Sequence, residues 1–222
     1  MKKVIFGIFA HPDDEAFGPA GTLLKLRDDG YDIHLILLTD GDAGVNVDKA
    51  PDLAAIRLAE WQAAATLLGA SSTHALHYAD GELQDVPREE ITEAVKNIIT
   101  NVQNGYREPV EVSFMTFEPL GLTGHHDHIV ASELTARIAR EFSAREIWYF
   151  CLDNTQAPLE GTAYYEPRAR EESYITDRIN VSAYLETIYR LIDTHYSQRA
   201  DGATRKALGD ERLSVECFHI ER

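Results

Sequence analysis

VIFGIFAHPDDEAFGPAGTL, residues 4–23, joins an unbroken apolar run to a histidine and three consecutive acids. The run "VIFGIFA" (4–10) shows no polar alternation, which marks a strand covered on both faces, as in a parallel sheet. Carboxylates crowded at the end of such a strand repel one another and are costly to bury unless a cation or a hydrogen-bond network compensates. Pro12 fixes the turn, and the helix that follows presents its positive end to the acids.

Working outward, helical spacing appears at 16–29, 52–69, 88–104 and 126–142, and strand-like runs at 31–39, 73–79, 110–117 and 146–152. Strands alternating with helices predict an α/β fold: a Rossmann-like, doubly wound, mostly parallel sheet in a three-layer α/β/α arrangement. Beyond residue 153 the pattern loosens. "NTQAPLEGTAYYEPRAREE" reads as a long loop or lid, "SYITDRINV" as a strand, "VSAYLETIYRLIDTHYS" as an amphipathic helix and "LSVECFHIER" as a final strand. No repeat, low-complexity tract or linker divides the chain, so one domain over 1–222 is expected, with a decorated C-terminal third.

A net charge of −16 repels phosphate backbones and anionic lipid surfaces, which argues against nucleic acid and membranes as partners. No segment reaches membrane-spanning length. The apolar start is too short for a signal peptide and runs into acids, so a cytoplasmic setting is expected. Cys151 and Cys217 follow no metal-binding pattern and read as buried free thiols.

In an open α/β sheet, ligands gather at the carboxyl ends of the strands. His11, Asp13, Asp14 and Glu15 lie at one such end, and "GLTGHHDHIV" (121–130) lies at another, after the fourth strand. His125 and His128 share a helical face by their i, i+3 spacing. Two histidines and a carboxylate with a fourth position open form a common hydrolytic zinc set, here His11, Asp14 and His128. Asp13 then takes the proton of the attacking water, a protonated His125 faces the substrate oxygen, and Asp127 orients an imidazole. Capping of the helix is the plainer reading for Glu15.

These motifs resemble those of the LmbE/PIG-L family of zinc-dependent N-acetylglucosaminyl deacetylases. "AHPDDE" and "HHDH" correspond to its two signatures, with weaker likeness in "LLTDGDAG", "RLAEWQAAATLLG", "HYADGEL" and "DTHYSQ". The resemblance implies one zinc per chain, or iron or another divalent ion, on His11, Asp14 and His128. It implies Asp13 as general base, His125 as oxyanion stabiliser or amine acid, and Asp127 as the acid bonded to that histidine. It also implies sugar recognition by Arg57 and Asp80, release of acetate from a small N-acetylated amino sugar, and assembly as a homo-oligomer. His126 stands where many members carry proline.

Other readings stand beside these. Arg57 is equally an exposed ion-pair partner of Glu60, and Asp80-Gly81 a plain turn. His195 in "THYSQ" suits a helix C-terminus on electrostatic grounds alone. Tyr164, Tyr165 and Tyr174 offer a stacking wall for a sugar, an oligomer contact or anchors for the loop. The whole chain is alternatively a metal-bound carbohydrate-binding protein without turnover, or a receiver-like magnesium-binding signalling domain.

Overall fold

A computed structural model describes residues 1–157 and 166–222. Five strands alternate with helices along the first two thirds: β1 (Lys2–Phe9), α1 (Asp14–Phe17), α2 (Ala20–Asp28), β2 (Tyr31–Thr39), α3 (Leu53–Leu68), β3 (Ser72–Tyr78), α4 (Arg88–Asn104), β4 (Val110–Phe117), α5 (Gly121–Gly124), α6 (His126–Glu141) and β5 (Glu146–Cys151). Then follow β6 (Asp177–Asn180), α7 (Leu185–Thr194), α8 (Arg199–Lys206), α9 (Gly209–Leu213) and β7 (Val215–Glu221). Among the described residues the strands form one sheet in the order β3-β2-β1-β4-β5-β7-β6. β1 to β5 run parallel, while β7 is antiparallel to both β5 and β6. The α/β, mostly parallel expectation is the fold observed.

Alternation within β1 separates two cores. Ile5 and Phe9 face one side, packed with residues of α2, α3 and α7, whereas Val4, Phe6 and Ile8 face the other, against α4 and α6. Both faces are thus covered, as the unbroken apolar run requires.

Three details depart from the sequence reading. The helix expected over 16–29 breaks at Gly18-Pro19 into α1 and α2. Gly18 adopts φ −102° and ψ −109°, and Pro19 has no N–H to continue the helix. The helix over 181–197 contracts to α7, flanked by 3-10 turns at Ser182–Tyr184 and Tyr196–Gln198. Helices α8 and α9 were not expected from periodicity.

The two cysteines are buried and free, but they face each other as register partners on β5 and β7. Burial pushes both thiols up, Cys217 to about 11, which keeps them protonated. Tyr174 anchors its loop by stacking on His219 at 4.5 Å between ring centroids, with the Arg170 guanidinium over its ring. Tyr164 and Tyr165 lie outside the described residues.

Candidate metal centre and active site

The chain runs outward from β1 through β2 to β3 and returns to β4 on the other side of β1, so the strand order reverses between β1 and β4. At such a reversal the two following loops diverge and leave a crevice at the carboxyl ends. His11 to Glu15 leave β1 there, and Glu118 to His128 leave β4. This topology brings residues more than a hundred positions apart onto one rim.

His11 Nδ1 and His128 Nε2 lie 3.0 Å apart, and His128 Nε2 lies 3.2 Å from Asp14 Oδ1. The remaining nitrogen of each imidazole is committed. His128 Nδ1 donates to the Gly121 carbonyl at 3.1 Å, and His11 Nε2 faces Asp80 Oδ1 at 3.0 Å and Asp127 Oδ2 at 3.3 Å. Carbonyl and carboxylate oxygens only accept, so those nitrogens carry hydrogens, which leaves the opposed pair as the nitrogens able to offer lone pairs to a cation. Two such nitrogens and a carboxylate oxygen within 4.8 Å of one another fit a divalent cation. The second oxygen of Asp14 accepts the backbone N–H groups of Ala10 and His11, at 3.0 and 2.9 Å, which fixes its orientation.

The local field favours positive charge. Burial alone lowers the His11 pKa, yet hydrogen bonds to Asp127 and Asp80 and the Asp14 charge carry it up to about 10. Burial likewise opposes the Asp14 anion, but the charge and hydrogen bond of His128, with His11, hold its carboxyl below the usual range.

Asp13 is buried and sits at φ 145°, a region that disfavours side chains and costs roughly 1–3 kcal/mol. Arg57 holds it there: Nη2 donates to Asp13 Oδ2 at 2.9 Å and to the Pro12 carbonyl at 3.1 Å, while Nη1 donates to the Gly41 carbonyl at 2.8 Å. Gly41 is at φ 67°, and a Cβ there would meet the Arg57 guanidinium at 2.6 Å. Burial pushes the Asp13 carboxyl up to about 6 against the pull of Arg57.

The sequence reading therefore needs revision at several side chains. Arg57 is 4 % exposed and underlies Asp13, so it is no surface partner of Glu60, which instead accepts hydrogen bonds from Ser197. Asp80 is engaged with His11, with Arg57 Nη1 at 3.8 Å. The Asp127 carboxylate reaches His11 and accepts the N–H groups of Gly81 and Leu83, at 2.6 and 3.1 Å. His125 Nδ1 accepts the Asp127 backbone N–H at 3.2 Å. Burial, then the neighbouring His11 and His128 charges, lowers its pKa to about 4. Such a shift favours the neutral imidazole, with its hydrogen on Nε2 because Nδ1 accepts, over the protonated group expected. His126 pairs with Gln84, away from the ligand cluster. His195 and Glu15, which the sequence left as separate helix-end residues, are fully buried and bonded to each other at 2.9 Å. A shared acid-histidine dependence over 180 residues leaves no local signal.

A cavity of about 430 Å³ opens elsewhere, among His34, Ser72, His74, Asn101 and Tyr106 near the amino ends of β2 and β3. Its polar groups satisfy one another: His34 bonds Ser72 Oγ and Tyr106 Oη, and Tyr106 donates to Asp32. Side-chain chemistry, rather than volume, therefore makes the β1–β4 crevice the candidate functional site.

Residues 6–139 match the family described as PIG-L, GlcNAc-PI de-N-acetylase. The chain belongs to the PIG-L family. Diacetylchitobiose deacetylase of Thermococcus kodakarensis is 37% identical over 130 residues, covering 58% of this chain and 45% of that protein. The 1D-myo-inositol 2-acetamido-2-deoxy-alpha-D-glucopyranoside deacetylase of Mycobacterium sp. (strain KMS) is 29% identical over 156 residues, 61% of this chain and 49% of that one. The PIG-L chain thus spans about half the length of these curated relatives.

Among solved structures, N,N'-diacetylchitobiose deacetylase of Pyrococcus horikoshii superposes with a TM-score of 0.68 at 23% identity, covering 99% of this chain and 84% of that one. GalB, the 4-carboxy-2-hydroxymuconate hydratase of Pseudomonas putida, superposes with 0.73 at 15% identity, covering 100% and 97%. A deacetylase and a hydratase share this architecture, so the fold alone does not select the reaction.

Proposed function

We propose that this PIG-L chain is a divalent-metal hydrolase that removes the acetyl group from an N-acetylglucosamine-type substrate, giving acetate and a free amine. The observation that carries the reading is the inward-facing set His11, Asp14 and His128 with the strained, buried Asp13 beside it. Zinc as the ion, a small water-borne glycoside as substrate, a homo-oligomeric state and a cytoplasmic setting are its finer parts. The relatives' names support the sugar class. The net charge of −16 speaks against nucleic acid, and among the described residues no helix is long and apolar enough to cross a membrane.

When bound, a divalent ion supplies Lewis acidity and lowers the pKa of its water to about 7. Asp13 would accept the proton of the water that attacks the acetyl carbon, and a carboxyl held up at about 6 by burial is ionised at neutral pH. Neutral His125 offers its Nε2–H to the developing oxyanion, a kind of contact worth ~2.7–4 kcal/mol of barrier. Asp13, now protonated, returns its proton to the departing nitrogen. Arg57 keeps Asp13 aimed, and Asp80 with Asp127 fixes the tautomer of His11. A binding protein without turnover has no use for a strained base, and a receiver-like domain has none for the paired imidazoles.

The test is acetate and amine release from N,N'-diacetylchitobiose and a panel of N-acetylglucosaminides by metal-reconstituted protein, with His128→Ala alongside. Release that is lost in His128→Ala together with bound metal is the expected result. Metal-loaded wild-type protein inert on every amide, yet hydrating an enoate, would move the chain to the hydratase class.

A further inference from the structure

Helix α1 is a single turn, too short to hold its own position. It nevertheless carries Asp14 and follows Asp13 at its unfavourable φ, so its neighbours must fix it. Arg57 secures the Asp13 side. On the other side, His195 Nε2 donates to Glu15 Oε1 at 2.9 Å, with both residues 0 % exposed. The residues after His195 reach two more elements of the site. Ser197 donates its N–H and Oγ–H to Glu60 on α3, the helix of Arg57, at 2.8 and 2.6 Å. Gln198 Nε2 donates to the Val45 carbonyl at 3.3 Å, in the loop that also contains Gly41. Residues 195–198 therefore touch α1, α3 and the β2–α3 loop together.

We propose that the Glu15–His195 pair is a positioning brace for the catalytic turn, through which His195 sets the placement of Asp13 and Asp14 and so governs divalent-ion affinity and turnover. Simple packing does not account for the pair. Glu15 Oε2 and His195 Nδ1 are buried with no hydrogen-bond partner among the described residues, and apolar side chains of similar volume fill such space at lower cost. A directional hydrogen bond supplies what apolar contact cannot: one fixed distance and angle between α1 and the end of α7. This inference rests on the metal-site reading above.

The test compares His195→Leu, His195→Asn and His195→Gln with wild type. Zinc affinity is read by competition with a chromophoric chelator, independently of turnover, and kcat and KM are read separately. Leu removes the donor, Asn stops short of Glu15, and Gln can still place an amide N–H near Glu15 Oε1. We expect Leu and Asn to weaken zinc binding about 10- to 100-fold, with the loss of activity falling on kcat rather than KM. Gln is expected to recover most of both. If the Leu variant does not fold, the Asn and Gln pair decides the matter by the same ordering. Folded Leu or Asn protein with wild-type affinity and kcat would overturn the brace, as would a Gln variant no better than Asn. Wild-type protein that binds no zinc would instead remove the metal-site reading itself.

Discussion

Asp13 and Arg57 show how one side chain can set the working range of another. Asp13→Asn keeps the shape and the neighbours but cannot accept a proton. We expect metal content near one ion per chain and turnover lower by about 10²–10⁴, checked by elemental analysis beside acetate release. Arg57 lowers the Asp13 pKa, which burial raises to about 6. In Arg57→Leu that pull is gone, so the Asp13 pKa rises and the acid limb of kcat/KM moves to higher pH. A limb that stays in place would show that another group titrates there. The gathering of His11, Asp14 and His128 beside Asp13 was legible because like charges after a buried strand demand compensation. Arg57 was not, because helix spacing gives its direction, whereas its role depends on the loop carbonyl of Gly41 and on Asp13, both supplied by other elements.

The element that most constrains the site is the break between α1 and α2. Gly18 leaves the helical region, and a Cβ there would lie 2.8 Å from the Asp14 carbonyl oxygen and 2.9 Å from the Phe117 ring. Gly18→Ala should therefore destabilise the protein by roughly 1–3 kcal/mol and weaken metal binding, measured by denaturant melts and chelator competition. The apolar spacing of Phe17, Ala20 and Leu24 suggested one continuous helix, although Pro19 already marked the break. Strands were more legible than helix ends, since β1, β2 and β4 are long apolar runs whose burial fixes their type. The 3-10 turn at Tyr196–Gln198 has no such period, and its hydrogen bonds go to Glu60 and Val45, far away in sequence.

At the scale of the whole molecule, the reversal of strand order between β1 and β4 decides where chemistry occurs. Binding at such a site favours the folded state by mass action, by about 2.7 kcal/mol when free ion is at one hundred times its Kd. For a chain of this size each kcal/mol moves the midpoint by roughly 2–4 °C. Removing metal with a strong chelator should thus lower the melting temperature by several degrees, and restoring zinc should reverse it. An unchanged melt would argue that the ion does not bind the folded chain preferentially. The class of fold was legible from the alternation of elements. The insertion of β7 between β5 and β6 was not, because residues 215–221 alternate in the same way for any position at the sheet margin.

That late insertion bears on how the protein is assembled. His11, Asp13, Asp14 and His128 emerge from the ribosome well before His195 and before β7, whose Glu216 caps the start of α2. A nascent chain stalled in between would hold the candidate ligands His11, Asp14 and His128 and still lack the parts that keep them in register. Competence should therefore arrive abruptly once residues 195–221 have joined the fold, rather than growing with each ligand that is made.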